Sequence, residues 1–378
     1  MTGPLDGVRV VELASLAPAP FGCMILADLG ATVLRVERRG PQPGIVPPAG
    51  PLDRGRRSVA LDLKEPSGVT ALHRLITDAD VFVEGFRPGV TERLGVGPAD
   101  LQQTNRRLIY ARMTGWGQDG PLAQRAGHDI NYIALAGALE PLGRAGERPH
   151  APLNLLADFA GGGMLMALGI LAALVERGRS GLGQVVDAAM VDGASLLMSF
   201  LHGMHANGMW SGGRGENLLD GAAPFYDTYP TSDGKYVAVG CVEPQFYAEM
   251  LTKLGLEAHE LPEQLDTAAW PQLKKTFAEA FATKTRDEWT AIFADSDGCV
   301  TPVLSPWEAH AHPHNRERAG FVEVDGLIQP APAPRFSRTA AVPPRAMDEG
   351  GRDAVATLRD WGLTGEEAAQ LVADGSVS

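Results

Sequence analysis

The chain has 378 residues, 44% of them hydrophobic and 21% charged, which suits a globular protein with a large core and room for two domains. Its formal net charge of −13, from 33 Lys and Arg against 46 Asp and Glu, argues against nucleic acid or an anionic membrane as the main partner, because both need a basic face. Three well-separated cysteines, Cys23, Cys241 and Cys299, form no CxxC pair, so buried thiols are expected rather than disulfides or zinc. The segment from Met1 to Leu5 lacks the basic start and apolar core of a signal peptide. The longest apolar run, Met164 to Val175, is too short to span a bilayer. A cytoplasmic, reducing compartment and no membrane are the resulting expectations.

In chain order, the β-branched run Val8 to Ala14, a helical stretch Ala19 to Leu29 and a second strand Gly30 to Val36 make a βαβ unit. The alternation continues with strands at Ser58 to Leu63, Asp80 to Glu84 and Arg107 to Met113 and a helix at Pro66 to Thr77. This predicts an α/β fold with a Rossmann-like parallel sheet covered by helices. The first turn, Ser15 to Gly22, carries no GxGxxG, which argues against a dinucleotide. A long apolar helix is expected over Asp158 to Glu176, a strand over Gln184 to Met190 and a helix over Asp192 to Ala206.

The glycine-rich segment 207–224 reads as a linker or loop. Beyond it, 225–315 reads as a smaller α+β domain. It contains a hairpin (Phe225 to Tyr229, Lys235 to Gly240), helices at Gln245 to Leu254, Pro271 to Thr283 and Arg286 to Asp295, and a strand at Cys299 to Leu304. Residues 316–378 hold an extended connector, Pro330 to Pro334, and helices at Arg352 to Trp361 and Thr364 to Asp374, the second with a Thr364/Glu367 capping box. The large domain is then 1–206.

Six arginines, Arg35, Arg38, Arg39, Arg54, Arg56 and Arg57, face only Glu37 and Asp53 in that stretch. This reads as a phosphate-binding rim at the carboxyl end of the second strand, against surface ion pairs as the alternative. Lys64 and Arg87 follow the third and fourth strands, on the same edge. His128 and Asp158 are candidate proton-transfer groups; their alternatives are a structural histidine and a helix N-cap, and spacing leaves both open. The Gly161-Gly162-Gly163 run suits either close approach of an oxyanion or tight helix packing. Glu243, Tyr226 and Asp220 are weaker candidates. His310, His312 and His314 lack metal-ligand spacing, so no metal is expected.

Several motifs together resemble the family III CoA-transferase superfamily. They are Leu26-Ala27-Asp28-Leu29-Gly30-Ala31, Leu61-Asp62-Leu63-Lys64, Glu84-Gly85-Phe86-Arg87-Pro88-Gly89-Val90, Tyr110 to Gly117, Gly127-His128-Asp129-Ile130-Asn131-Tyr132, Gly183 to Gly193, Leu219-Asp220-Gly221, Ala223-Pro224-Phe225-Tyr226 and Val300 to Val303. The similarity runs over nearly the whole chain. It implies a Rossmann-like large domain, a small domain on long linkers and an interlocked homodimer, with the C-terminal helices returning to the large domain.

Within the family, Gly-His-Asp at 127–129 is similar to the members that racemise 2-methylacyl-CoA thioesters. Transferases of the family typically place an aromatic residue at the histidine position and use the equivalent of Asp158 as a nucleophile. The resemblance implies His128 and Asp158 as the two acid/base groups, with Glu243 polarising His128. It implies Arg38, Leu61, Lys64, Arg87 and Arg93 as contacts to CoA, and no separate cofactor. The substrate region would include Asp129, Asn154, Gly161 and Tyr226, with the thioester oxygen at the N-terminus of the Asp158 helix. CoA transfer through Asp158, or acyl-CoA binding without catalysis, are the alternatives. The first loop departs from the family pattern, with Ala17, Ala19 and Phe21 in a turn usually richer in glycine.

Overall fold

The computed structural model describes residues 3–38, 50–210, 212–348 and 354–377, and they fall into two compact units. The first comprises the described residues of Met1–Ala136, Leu153–Leu197 and Glu317–Ser378; the second comprises those of Gly137–Pro152 and Met198–Arg316. The division departs from the expected boundaries in two places. Residues 137–152 belong to the second unit, and the stretch expected as one helix over 192–206 is two helices, parting at Met198.

In the first unit, β1 (Arg9–Leu13), α1 (Pro18–Asp28), β2 (Thr32–Arg38), β3 (Arg56–Leu61), α2 (Pro66–Ile76), β4 (Val81–Glu84), α3 (Val90–Arg93), α4 (Pro98–Thr104) and β5 (Ile109–Thr114) follow in order. α5 (Asp129–Leu135), a π-helical segment Leu155–Met164 continuing into α6 (Leu165–Ser180), β6 (Val185–Ala189) and α7 (Met190–Leu197) complete the frame. Proline opens α1, α2 and α4, where the first turn needs no N–H and φ is already helical. The six strands are parallel in the order β3-β2-β1-β4-β5-β6, so chain direction across the sheet reverses between β1 and β4. A crevice at the carboxyl ends of those two strands is where such sheets take ligands.

Val11, Leu34, Phe82 and Tyr110 form the core on one sheet face with Leu72 and Leu75 of α2. The C-terminal segment returns to this core. α13 (Ala354–Asp360) and α14 (Gly365–Ala373), numbered after α8–α12 of the second unit, bring in Leu358, Trp361 and Ala368. Glu367 N–H donates to Thr364 Oγ1 (3.1 Å) and Thr364 N–H to Glu367 Oε2 (2.7 Å), the expected capping box. Arg352, the expected start of the first of these helices, lies outside the described residues.

The helical run Leu155–Ser180 is 26 residues, long and apolar enough to cross a bilayer by length and composition, unlike the shorter run that the sequence marks out. Here it packs on α1, α7, β5 and β6. Its glycines are the means. A Cβ on Gly161 would lie 2.7 Å from Ala194 N, one on Gly193 would lie 1.9 Å from Gly161 O, and one on Gly163 would lie 2.4 Å from Pro18 O. The tight-packing alternative for the glycine run is therefore the correct one. The backbones of three helices meet with no side chain between them.

The second unit holds α8 (Ser199–Ala206), an antiparallel sheet β7 (Tyr226–Pro230), β8 (Tyr236–Gly240) and β9 (Val300–Pro302), and α9 (Pro244–Leu254), α10 (Trp270–Phe281) and α11 (Arg286–Phe293). A short helix α12 (Pro313–Glu317) follows. An aromatic core of Phe225, Tyr229, Trp270, Phe277, Phe281 and Trp289 fills the space between sheet and helices, with Tyr229 stacked on Phe281 at 5.2 Å. Back in the first unit, the hairpin β10 (Phe321–Val324) and β11 (Leu327–Pro330) turns on Asp325-Gly326 at φ 50° and 78°. Cys23 and Cys241 are buried as expected, but Cys299, at φ 51°, is exposed.

Gly193→Ala should lower stability by about 1–3 kcal/mol, the usual cost of overpacking, because its Cβ meets immovable backbone. Thermal melting of the variant beside wild type checks this; an unchanged midpoint would contradict the close helix contact.

Candidate active site

A cavity of about 470 Å³ opens at the carboxyl ends of β1, β4 and β5. Ser15 and Pro18 line it after β1, Gly85 to Pro88 after β4, and Gly115 and Trp116 after β5; His128, Tyr132 and Asp158 complete its wall. The two candidate proton-transfer groups, 30 positions apart in sequence, thus share one cavity. Arg125, Met113 and Met190 also line it, and none of the three had been singled out as a site residue.

His128 occupies the N-cap position of α5. Its N–H donates to Asn131 Oδ1 (3.1 Å), and its carbonyl accepts from the N–H groups of Asn131 (2.8 Å) and Tyr132 (3.2 Å). The imidazole is exposed, and among the described residues neither ring nitrogen is drawn into a structural hydrogen bond. This separates it from a satisfied core histidine.

Asp158 lies in the first turn of the π-helical segment, whose N-cap is Asn154. Its carboxylate accepts from Asn154 Nδ2 (3.1 Å), and the capping work is done by another residue. The Asp129 carboxylate, buried beside His128, accepts from Ala157 N–H (2.7 Å) and Asp158 N–H (2.8 Å) through Oδ2. The N-cap alternative for Asp158 therefore fails. Asp129 also occupies two of the N–H groups at the helix end where the thioester oxygen was expected. Gly161 is likewise buried against α7 and does not line the cavity.

Burial raises the Asp158 pKa above the ordinary carboxylate value; the Asn154 hydrogen bond opposes this, the Asp129 charge adds to it and the His128 charge opposes it. A π-helical first turn, uncommon in itself and frequent at functional sites, holds this carboxylate.

The arginine cluster divides. Arg56 is buried against Glu12 (3.2 Å), which Arg35 also approaches (3.6 Å). Arg54 pairs with Asp28 (3.0 Å) and donates to Gln329 Oε1 (2.8 Å) and Pro330 O (2.7 Å). Arg57 pairs with Asp360. Arg35, Arg54 and Arg56 are struts of the fold, a correction to the phosphate-rim reading, while Arg57 makes an exposed surface ion pair, the stated alternative. Their partners Glu12, Asp28 and Asp360 lie far from them in sequence, which is why local charge counting missed them.

Arg39 lies outside the described residues. Arg38 is exposed and lines a second cavity of about 420 Å³ with Leu61, Lys64 and Phe86. Phe86, just after β4, borders both cavities. Arg87 reaches the cavity of His128 and Asp158, whereas Arg93, exposed on α3, lines neither.

In the second unit, Glu243 is the exposed N-cap of α9, with no hydrogen bond to its carboxylate among the described residues. Tyr226 and Asp220 line a cavity of that unit, about 550 Å³, with Arg144, Asp227 and Cys299.

A six-stranded parallel sheet in the order β3-β2-β1-β4-β5-β6, with a histidine and an aspartate in the crevice at its carboxyl edge and a second cavity beside it, defines a doubly wound α/β protein. A family model described as CoA-transferase family III matches residues 5–351, and the chain belongs to that family. It is 54% identical to α-methylacyl-CoA racemase of Mus musculus, over 98% of this chain and 96% of that protein, and 50% identical to that of Homo sapiens with the same coverage. The crystal structure of a CAIB/BAIF family protein from Brucella suis superposes with a TM-score of 0.78 at 27% identity, covering 95% of this chain and all of that one.

Because its folded pKa is raised, ionised Asp158 destabilises the fold, and that loss grows as pH rises from the ordinary carboxylate value through the folded one. Asp158→Asn should melt higher than wild type at pH 7, with the difference vanishing below about pH 4, where both states of wild type hold the proton. Melting curves at the two pH values check this; a variant less stable at pH 7 would contradict it.

Proposed function

We propose that the protein racemises 2-methylacyl-CoA thioesters at the α-carbon, by removal of the α-proton at one face of the substrate and return of a proton at the other. The observation that carries this reading is the presence of His128 and Asp158 in one cavity, in a chain half-identical along nearly its full length to racemases of that name. The thioester carbonyl acidifies the α-proton. One of the pair takes it, the electron pair of the C–H bond enters the enolate, and the other returns a proton to the opposite face.

At rest one group must hold a proton and the other not, so their affinities must lie close. Burial of Asp158 moves its pKa toward the ordinary histidine range and supports this balance. The chemistry asks for no cofactor beyond the CoA carried by the substrate.

The nucleotide is assigned to the cavity of Arg38, Leu61 and Lys64, with the pantetheine arm crossing Phe86 so that the thioester reaches His128 and Asp158. Arg87 suits a contact near that crossing, and exposed Arg93 suits a phosphate at its rim. Glu243 is assigned to orient and polarise His128 within a homodimer. A second copy is supported by apolar side chains that the first unit leaves in water: Leu155, Met164, Leu168 and Val175 along the long helix are each more than half exposed.

One incubation separates the readings: a single epimer of a 2-methylacyl-CoA in deuterated water, with and without an acceptor carboxylic acid. Deuterium at C2 with loss of optical purity is expected. CoA appearing on the acceptor would favour transfer through an Asp158 anhydride, and no change in either would leave a binding protein. Asp158→Ala and His128→Ala should each abolish epimerisation; activity surviving in either would refute the two-base scheme.

A further inference from the structure

We infer that Tyr132 is the positioning residue of His128. This rests on the racemase reading above and adds a residue to it. Tyr132 lies one helical turn after His128 and is 6% exposed. Its hydroxyl donates to Gly127 O, on the peptide just before the histidine, and its own N–H donates to His128 O (3.2 Å), on the peptide just after it. One side chain and its backbone thus hold both peptide planes that set the histidine's φ and ψ.

The ring is held in turn. It meets Trp116 edge-on at 4.7 Å and 82°, and a Cβ on Gly115 would fall 2.2 Å from Tyr132 Cζ. A Cβ on Gly127 would lie 2.7 Å from Tyr132 Cε1 and 2.9 Å from the Trp116 ring. Two glycines therefore clear the space that lets a tyrosine stand against the backbone leading to His128.

Burial, reinforced by the Asp158 charge, pushes the tyrosine pKa up to about 12, so the hydroxyl keeps its proton at working pH. That proton is the one donated to Gly127 O. By contrast Asp158, fixed through Asp129, takes no hydrogen bond from Tyr132 among the described residues. Loss of the hydroxyl should loosen one base of the pair and leave the other in place.

That asymmetry supplies the test. Tyr132→Phe keeps the ring contacts and deletes the bond to Gly127 O. A small misplacement of a reacting group costs roughly ten- to hundredfold in rate, so kcat for epimerisation should fall by about that factor with KM nearly unchanged. Because the variant cannot change the equilibrium constant, kcat/KM falls by the same factor in both directions, so the one-sided defect appears in exchange. From the epimer whose proton Asp158 removes, the enolate waits for the displaced imidazole, the Asp158 proton trades with deuterated solvent, and deuterium returns with retained configuration.

Exchange without inversion should therefore rise for that epimer alone, the same one that still exchanges in His128→Ala. A thermal melt monitors the fold. Unchanged kcat, or exchange altered equally for both epimers, would overturn the assignment. Absence of exchange in wild type would instead remove the racemase reading, and the inference with it.

Discussion

The carboxylate of Asp129 is the contact on which the site depends. It stands next to His128 in the chain and accepts the N–H groups of Ala157 and Asp158 from the start of another helix. Two residues far apart in sequence are thereby referred to one fixed point. Charge at the positive end of a helix is favourable there, and the same charge helps raise the Asp158 pKa. A single buried group thus helps fix where the backbone of Asp158 stands and adds to the burial that makes its carboxyl hold a proton more tightly.

That contact is useful only because the helix it caps cannot drift. Gly161 and Gly193 bring the long helix and α7 into backbone contact, and Gly163 does the same against α1. Close-packed backbones have few alternative arrangements, so the first turn is located by the sheet beneath it. The buried Glu12–Arg56–Arg35 cluster and the Arg54–Asp28 pair do comparable work around β1, β2 and β3. Removing one member would leave an uncompensated charge inside.

The parallel sheet, the hairpin and aromatic helices of the second unit and the Thr364 cap were legible in the sequence, because each rests on local periodicity or a short motif. His128 and Asp158 were legible as a pair only through the Gly-His-Asp resemblance. Spacing by itself allowed a structural histidine and an N-cap, and the geometry excludes both. What escaped depends on contacts between distant segments. Arg35, Arg54 and Arg56 read as a binding rim until Glu12 and Asp28 were placed beside them. The glycine run read equally as an oxyanion site until α7 lay across it. The β10–β11 hairpin is a different case: Asp325-Gly326 between Val324 and Leu327-Ile328 is a turn signal, masked by the proline-rich stretch that follows.

Because the strut is residue 129 and the proposed base is residue 128, frame and chemistry are assigned to different side chains. A change of the imidazole to an aromatic ring leaves the Asp129 carboxylate, and so the seat of Asp158, as it was. A lineage built on this arrangement is free to vary the reagent at one codon while inheriting the scaffold at the next. Divergence between proton shuttling and acyl transfer then needs no rebuilding of the fold.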